Sequence, residues 1–244
     1  MLTGTADPAL LAAHAPVMST LSAPPVRLGG VEVLQAAFEL PYACREPLLP
    51  PALHPTTPPL VVLLAWRVET SPWGPFALAQ ARVSCRSGVR PRGFVTRCLV
   101  DTAAAASALA TEWGLPAEVA AVELRRGYDR AELRAGGDGA PVLHLVGTGP
   151  DPLGPGDVQF SVTTTLARTP RGLRLVQLEP EYELHRVERV RPRLEAFDAA
   201  GWGLPGATPG APVAAVVAVG EVAIPTLRFV SRPDVTAFEG TEKV

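Results

Sequence analysis

The chain has 244 residues, a formal net charge of −2, 47% apolar residues and 6% aromatic residues. That apolar fraction fills a sizeable core, which excludes disorder as the main state. Near-zero charge with few aromatics argues against a dedicated nucleic-acid surface or a base-stacking platform. Residues 1–29 open without basic residues, and Asp7, Pro8, His14 and Pro16 interrupt their apolar run, so they read as an N-terminal arm and not a secretory signal. No window approaches the ~18 apolar residues that a membrane helix needs. Gly30 to Leu40 reads as the first strand, and Pro47 to Pro59 as a proline-rich connection. Leu60 to Val68 is apolar without alternation, which predicts a strand buried on both faces. Leu78 to Ser84 and Gly93 to Val100 read as a strand pair joined by the basic loop Arg86–Arg92.

The clearest helix follows, with Asp101 as the expected N-cap, an alanine-rich body through Trp113, Gly114 as its terminator and Pro116 forbidding continuation. Beyond it the pattern predicts Val119–Arg126, Arg130–Arg134, Pro141–Val146, Val158–Arg168, Gly172–Val190 and Val213–Arg228 as strands. Leu194–Ala200 is expected as a short helix, Gly136–Gly139 as a hairpin turn, and residues 231–244 as a fraying tail. Many strands and one or two short helices point to a mainly β antiparallel sheet, sandwich or barrel, with residues 30–230 as one domain.

Cys44, Cys85 and Cys98 are odd in number with no CxxC spacing, and His14, His54, His144 and His185 are scattered. This predicts a reducing, cytoplasmic setting with no metal site and no cofactor. No Walker, HExxH or GxSxG motif occurs. Lysine is almost absent: Lys243, next to the last residue, is the only one, so no lysine of the folded body can form a Schiff base.

The segments LLPPALHPTTPPLVVLLAWRV (48–68), SPWGPF (71–76), the strand pair, ALATEWGLPAEVAAVEL (108–124), RLEAFD (193–198) and APVAAV (211–216) occur in an order that resembles the acetoacetate decarboxylase family. In that family a Glu-x-Trp-Gly-x-Pro-type segment ends a helix and Pro-Lys-Lys follows; here Glu112 directly precedes Trp113. The resemblance, over about Gly30 to Val230, implies an antiparallel β-barrel or cone around a small-molecule cavity, often in a homo-oligomer. The family's first lysine attacks a ketone as an activated amine. By the same resemblance Ala117 takes the place of that lysine and Glu118 reverses the charge of its neighbour. Leu64 and Leu78 fall where pocket carboxylates would stand, and Val31, with Arg27 close by, where a substrate-binding arginine would.

These departures together predict a more apolar pocket without an electron sink. An apolar cavity suits a large, weakly polar substrate and reactions that need folding of a chain more than a base or nucleophile. The leading expectation is a cofactor-independent cyclase or isomerase of natural-product (polyketide-like) biosynthesis, including [4+2] ring closure. Candidate substrate-binding residues are Leu64, Trp66, Leu78, Trp113, Ala117 and Tyr128, with Tyr182 and His185 as further hydrogen-bonding candidates. Glu118 has two readings: a catalytic acid or base raised in pKa by an apolar pocket, or an outward residue paired with an arginine. The first would make the protein a dehydratase or lyase. A third reading is a ligand-binding protein without turnover. Neither nucleic acid nor membrane is an expected partner.

Overall fold

The structure is a computed structural model and describes residues 2–137, 142–160 and 162–244. Its strands are β1 (Val26–Glu39), β2 (His54–Pro55), β3 (Leu60–Thr70), β4 (Phe76–Ser87), β5 (Arg90–Val100), β6 (Ala117–Val119), β7 (Val122–Arg126), β8 (Arg130–Ala135), β9 (Leu143–Leu153), β10 (Thr163–Thr169), β11 (Gly172–Leu178), β12 (Glu181–Phe197), β13 (Pro212–Ile224), β14 (Phe229–Ser231) and β15 (Thr241–Lys243). The helices are α1 (Pro8–Leu11), α2 (Ala103–Trp113) and α3 (Ala237–Gly240). The fold is mainly β, as the strand-rich sequence requires. The strands form one large sheet in the order β15-β14-β11-β10-β5-β4-β3-β1-β13-β12-β9-β8-β7, with β2 on β4 and β6 on β5. Among the described residues its two end strands are not paired to each other. Pairing is antiparallel except at β5–β6 and β5–β10.

Each face of this sheet carries its own apolar cluster. β3 feeds both: Leu63 and Ala65 enter one cluster, while Leu64 and Trp66 enter the other. Residues 61–66 are consequently all buried, the physical meaning of an apolar strand without alternation. Burying each such leucine contributes about 1.5–3 kcal/mol. The face that holds Leu64 and Trp66 is called inward below, because α2 and β11 cover it.

Helix α2 ends where the sequence requires. Gly114 has φ +69°, and a Cβ there would lie 2.8 Å from Met18 Sδ and 2.9 Å from Ala167 Cβ. Its start differs from expectation. The N-cap is Thr102, and Asp101 instead accepts a hydrogen bond from the Ala77 backbone N–H at 2.8 Å, tying the helix entry to β4.

Other expectations are corrected by pairing across the sheet. Leu194–Ala200 is not a helix: β12 continues to Phe197 because Leu194 and Ala196 pair with Leu145 and His144 of β9. The Gly172–Val190 run is two strands, since residues 179–180 leave the ladder where Pro180 has no N–H to give. β10 begins only at Thr163, and β1 begins earlier than expected, at Val26, with a register shift between Leu28 and Val31. The C-terminal tail, expected to fray, carries secondary structure. It forms α3 and β15, and β15 pairs with β14. The expected turn at Gly136–Gly139 and the start of the Pro141–Val146 strand lie partly outside the described residues.

Candidate functional site

Sheet register gathers one row of side chains on the inward face. Gln35 of β1 pairs with Leu64, Leu64 with Gln80, Gln80 with Cys98, and Cys98 with Ala117. The next row is Val33, Trp66, Leu78, Val100 and Val119. Side chains two residues apart on a strand share a face, so the two rows line one surface. Leu64, Trp66, Leu78 and Trp113 are all buried in its cluster, and Ala117 packs against them. Trp113 meets Trp73 edge-on with ring centroids 5.6 Å apart, consistent with a residue that fixes the helix end.

Two expected site residues stand elsewhere. Tyr128 sits in the turn between β7 and β8 and is 98% exposed, so it takes no part in the inward surface. Glu118 follows Ala117 on β6 and therefore points the other way. It pairs with Arg97, whose strand neighbour Ala81 belongs to the opposite cluster, and its side chain is 47% exposed. Glu118 borders a hollow with largely apolar walls on that opposite face, where its carboxylate is ion-paired with Arg97, so it takes no part in the inward surface. His185 is exposed, whereas Tyr182 is at the site.

The inward surface is not purely apolar. Arg82 of β4 is 1% exposed, and its Nε and Nη2 donate to Gln80 Oε1 at 2.8 and 2.6 Å. Burial lowers the Arg82 pKa, and the neighbouring Tyr182 and Cys98 act in the opposite sense. Tyr182 stacks on Phe160 at 4.3 Å and meets Trp66 edge-on at 6.1 Å. Its hydroxyl and the Trp66 Nε1 lie close enough for Trp66 to lower the Tyr182 pKa but form no full hydrogen bond among the described residues, and the Gln35 Oε1 is likewise buried without a partner. Buried polar atoms are usually satisfied, so three on one surface mark a place prepared for polar contact. Burial pushes Tyr182 up to about 12 and Cys98 up to about 12, effects that Arg82 only partly offsets. At neutral pH the phenol is therefore a hydrogen-bond donor, and the Cys98 thiol is not a ready nucleophile.

Gln35 also connects this surface to a cavity of about 690 Å³, lined by Gln35, Ala37, Val158, Gln159, Arg191 and Val216 among others. That volume is in the range of small-molecule sites. The segment carrying Val158 and Phe160 thus borders both the cavity and the Tyr182 ring. Among the described residues no three His, Cys, Asp or Glu side chains gather as a metal set, and no helix is long and apolar enough to cross a membrane.

Solved structures share this architecture. An acetoacetate decarboxylase from Legionella pneumophila superposes with a TM-score of 0.74 at 17% identity, covering 84% of this chain and 86% of that one. The enduracididine biosynthesis enzyme MppR gives 0.69 at 18%, covering 86% and 89%, and has also been solved with pyruvate. An acetoacetate decarboxylase-like enzyme from Sphingomonas wittichii RW1 gives 0.65 at 17%, covering 85% and 94%. The chain has the acetoacetate decarboxylase-like fold. No protein-family model matches the sequence, and a search of curated proteins finds no match.

Within the acetoacetate decarboxylase-like fold, the positions singled out by the resemblance are now placed in space. Ala117 faces inward beside Cys98, and Leu64 and Leu78 lie on the same buried surface. Val31 is buried, and Arg27 is exposed, so neither brings a cation to the inward surface. Arg82 brings one, from β4, two strands away from β1. The sequence reading missed Gln35, Gln80, Arg82 and Cys98. A signal for two of them was present: Gln80 and Arg82 are spaced two apart in the otherwise apolar strand segment 76–83, on the face of Leu78.

Proposed function

We propose that the protein is a cofactor-independent small-molecule cyclase or isomerase of natural-product biosynthesis that works without a Schiff base. The observation that carries this is Ala117: an inward side chain without an amine, beside Cys98 on the surface that also holds Arg82 and Tyr182. The sequence already removes every body lysine, and the fully buried Cys98 supplies no thiolate at neutral pH. What remains at the site is shape and hydrogen-bond donation. In this reading the cavity holds a weakly polar chain in its reactive fold, which alone lowers a barrier by up to about 7–11 kcal/mol. The Tyr182 hydroxyl, the Trp66 N–H and Arg82 polarise a substrate carbonyl, each such donor contributing about 10²–10³ in rate. Ring closure, including [4+2] addition of a polyketide-like chain, fits these means.

Support comes from the solved relatives described as enzymes, one of them biosynthetic. A lyase that uses Glu118 is the weaker reading, since that carboxylate lies on the other face and is paired with Arg97. The proposal includes a cytoplasmic homo-oligomer, which light scattering of the purified protein tests.

The test is comparative LC–MS of metabolites from the producing organism with and without the gene. An isomer of the product that accumulates, and that purified protein converts without added cofactor, is the expected result. Accumulation of a species heavier by water or carbon dioxide overturns the cyclase reading in favour of a lyase. Tight ligand binding without any conversion makes the protein a binder.

A further inference from the structure

A second hollow lies on the opposite face, under the N-terminal arm, and is distinct from the cavity joined by Gln35. The arm is fastened at both ends, and between them Arg168 Nη2 donates to the Ala12 carbonyl at 3.0 Å. Gly4, Thr5 and Ala6 donate backbone hydrogen bonds to Leu53, Glu46 and Leu49, and Met18 and Ser19 donate to Arg168 and Thr111. Between these anchors, α1 and the single turn at 12–14 contribute no buried residue. They form a strap across a space of about 390 Å³, walled by Leu10, Leu11, Phe94 and Leu166 and by the Arg97–Glu118 pair. This volume lies at the lower end for small-molecule pockets.

The polar end of the hollow has a defined chemistry. Arg97 Nη2 donates to Glu118 Oε2, while the Arg97 Nε–H is buried with no hydrogen-bond partner among the described residues. A guest that accepts from Nε–H sits beside the Glu118 carboxylate. A free carboxylate there meets like charge, and an ammonium meets the guanidinium. A neutral group that both accepts and donates satisfies Arg97 and Glu118 together. We propose that the strap-covered hollow is a second binding site, for a small apolar molecule ending in a neutral carboxamide-like group. Because Glu118 and Ala117 are neighbours on β6, an occupant would sit one residue from the inward surface, on the other side of the sheet.

Octanamide is the probe. A ligand of this size binds with a dissociation constant on the order of 1 mM. Titration into ¹⁵N-labelled full-length protein should move the Arg97 Nε–H resonance in a saturable way. Arg97→Lys keeps the charge and removes Nε–H, so binding read by saturation-transfer NMR should weaken by about tenfold or more. Leu11→Trp fills the hollow from the strap, away from the inward surface, and should abolish binding while leaving the circular dichroism spectrum intact. Tyr182→Phe should bind octanamide like the wild type. Loss of binding in Tyr182→Phe with retention in Leu11→Trp places the amide on the inward surface and overturns this inference without touching the proposed reaction. Preference for octanoate over octanamide overturns the ligand class, and an unmoved Arg97 resonance overturns the site.

Discussion

Ala117 and Glu118 are neighbours in sequence and belong to two different chemical settings. The inward face at Ala117 is closely packed: Trp66, Leu64 and Leu78 are essentially inaccessible, and the cation Arg82 is 1% exposed and hydrogen-bonded to Gln80. The opposite face at Glu118 is wetter, and its cation, Arg97, is held by an ion pair whose side chains are 27% and 47% exposed, with its Nε–H left unpartnered among the described residues. The same type of group is therefore used in two ways. A buried guanidinium must be fully hydrogen-bonded or it destabilises the fold, whereas a half-exposed pair contributes little. The lesson is that polar residues of the inward face are worth testing for function, and those of the other face for binding or surface pairing.

The sharpest break of this contrast is alkaline titration. Cys98 and Tyr182 on the inward face, and Cys85 in the other cluster, are pushed up to about 12 from ordinary values of 9.0 and 10.0, chiefly by burial. A raised acid pKa means that the native state holds the proton more tightly than the unfolded chain. The stability is therefore complete below about pH 9 and falls as pH rises through 12, by on the order of several kcal/mol. Urea unfolding at stepped pH should show this fall, and Cys98→Ala should flatten it. No flattening would mean that Cys98 is solvated.

Next in size is Trp66→Ala, which opens a large hole in the inward face and should cost about 3–5 kcal/mol in urea unfolding. Gln80→Leu should cost about 3 kcal/mol, because it takes away the acceptor of two Arg82 donors in a buried setting. A cost near zero would show that Arg82 is held by other acceptors or water without Gln80. Tyr182→Phe is expected to leave stability within about 1 kcal/mol, since its hydroxyl makes no full hydrogen bond among the described residues. It should nevertheless slow conversion of the natural substrate by about 10²-fold if that hydroxyl polarises a carbonyl. The smallest effect belongs to Glu118→Gln. Its half-exposed pair with Arg97 is worth less than about 1 kcal/mol, and turnover should change less than about twofold. A loss of several orders of magnitude would restore the lyase reading.

Much of the strand pattern was legible in the sequence because it rests on local chemistry. The unalternating run at 60–68 gave a strand buried on both faces, and the alanine-rich segment closed by Gly114 gave α2. Misreadings arose where distant partners decide. Leu194–Phe197 extends because β9 lies beside it, Asp101 turns from capping α2 to holding Ala77, and the tail orders on β14. For the site, Leu64, Trp66, Leu78, Trp113 and Ala117 were picked out in advance and do meet. Tyr128, a turn residue, was not separable from a wall residue by type alone, and Gln80 and Arg82 were passed over because polar residues in a strand usually face water.

By itself, the sequence determined that no body lysine serves as an amine and that strands dominate, because composition and residue periodicity are carried by the chain alone. Only the tertiary structure decided which strand faces are inward. It set the register that aligns Gln35, Leu64, Gln80, Cys98 and Ala117 across five strands and turned Glu118 away. The physical reason is the two-residue period of a strand: a register shift of one residue exchanges its faces, and register is fixed by pairing between segments far apart in the chain.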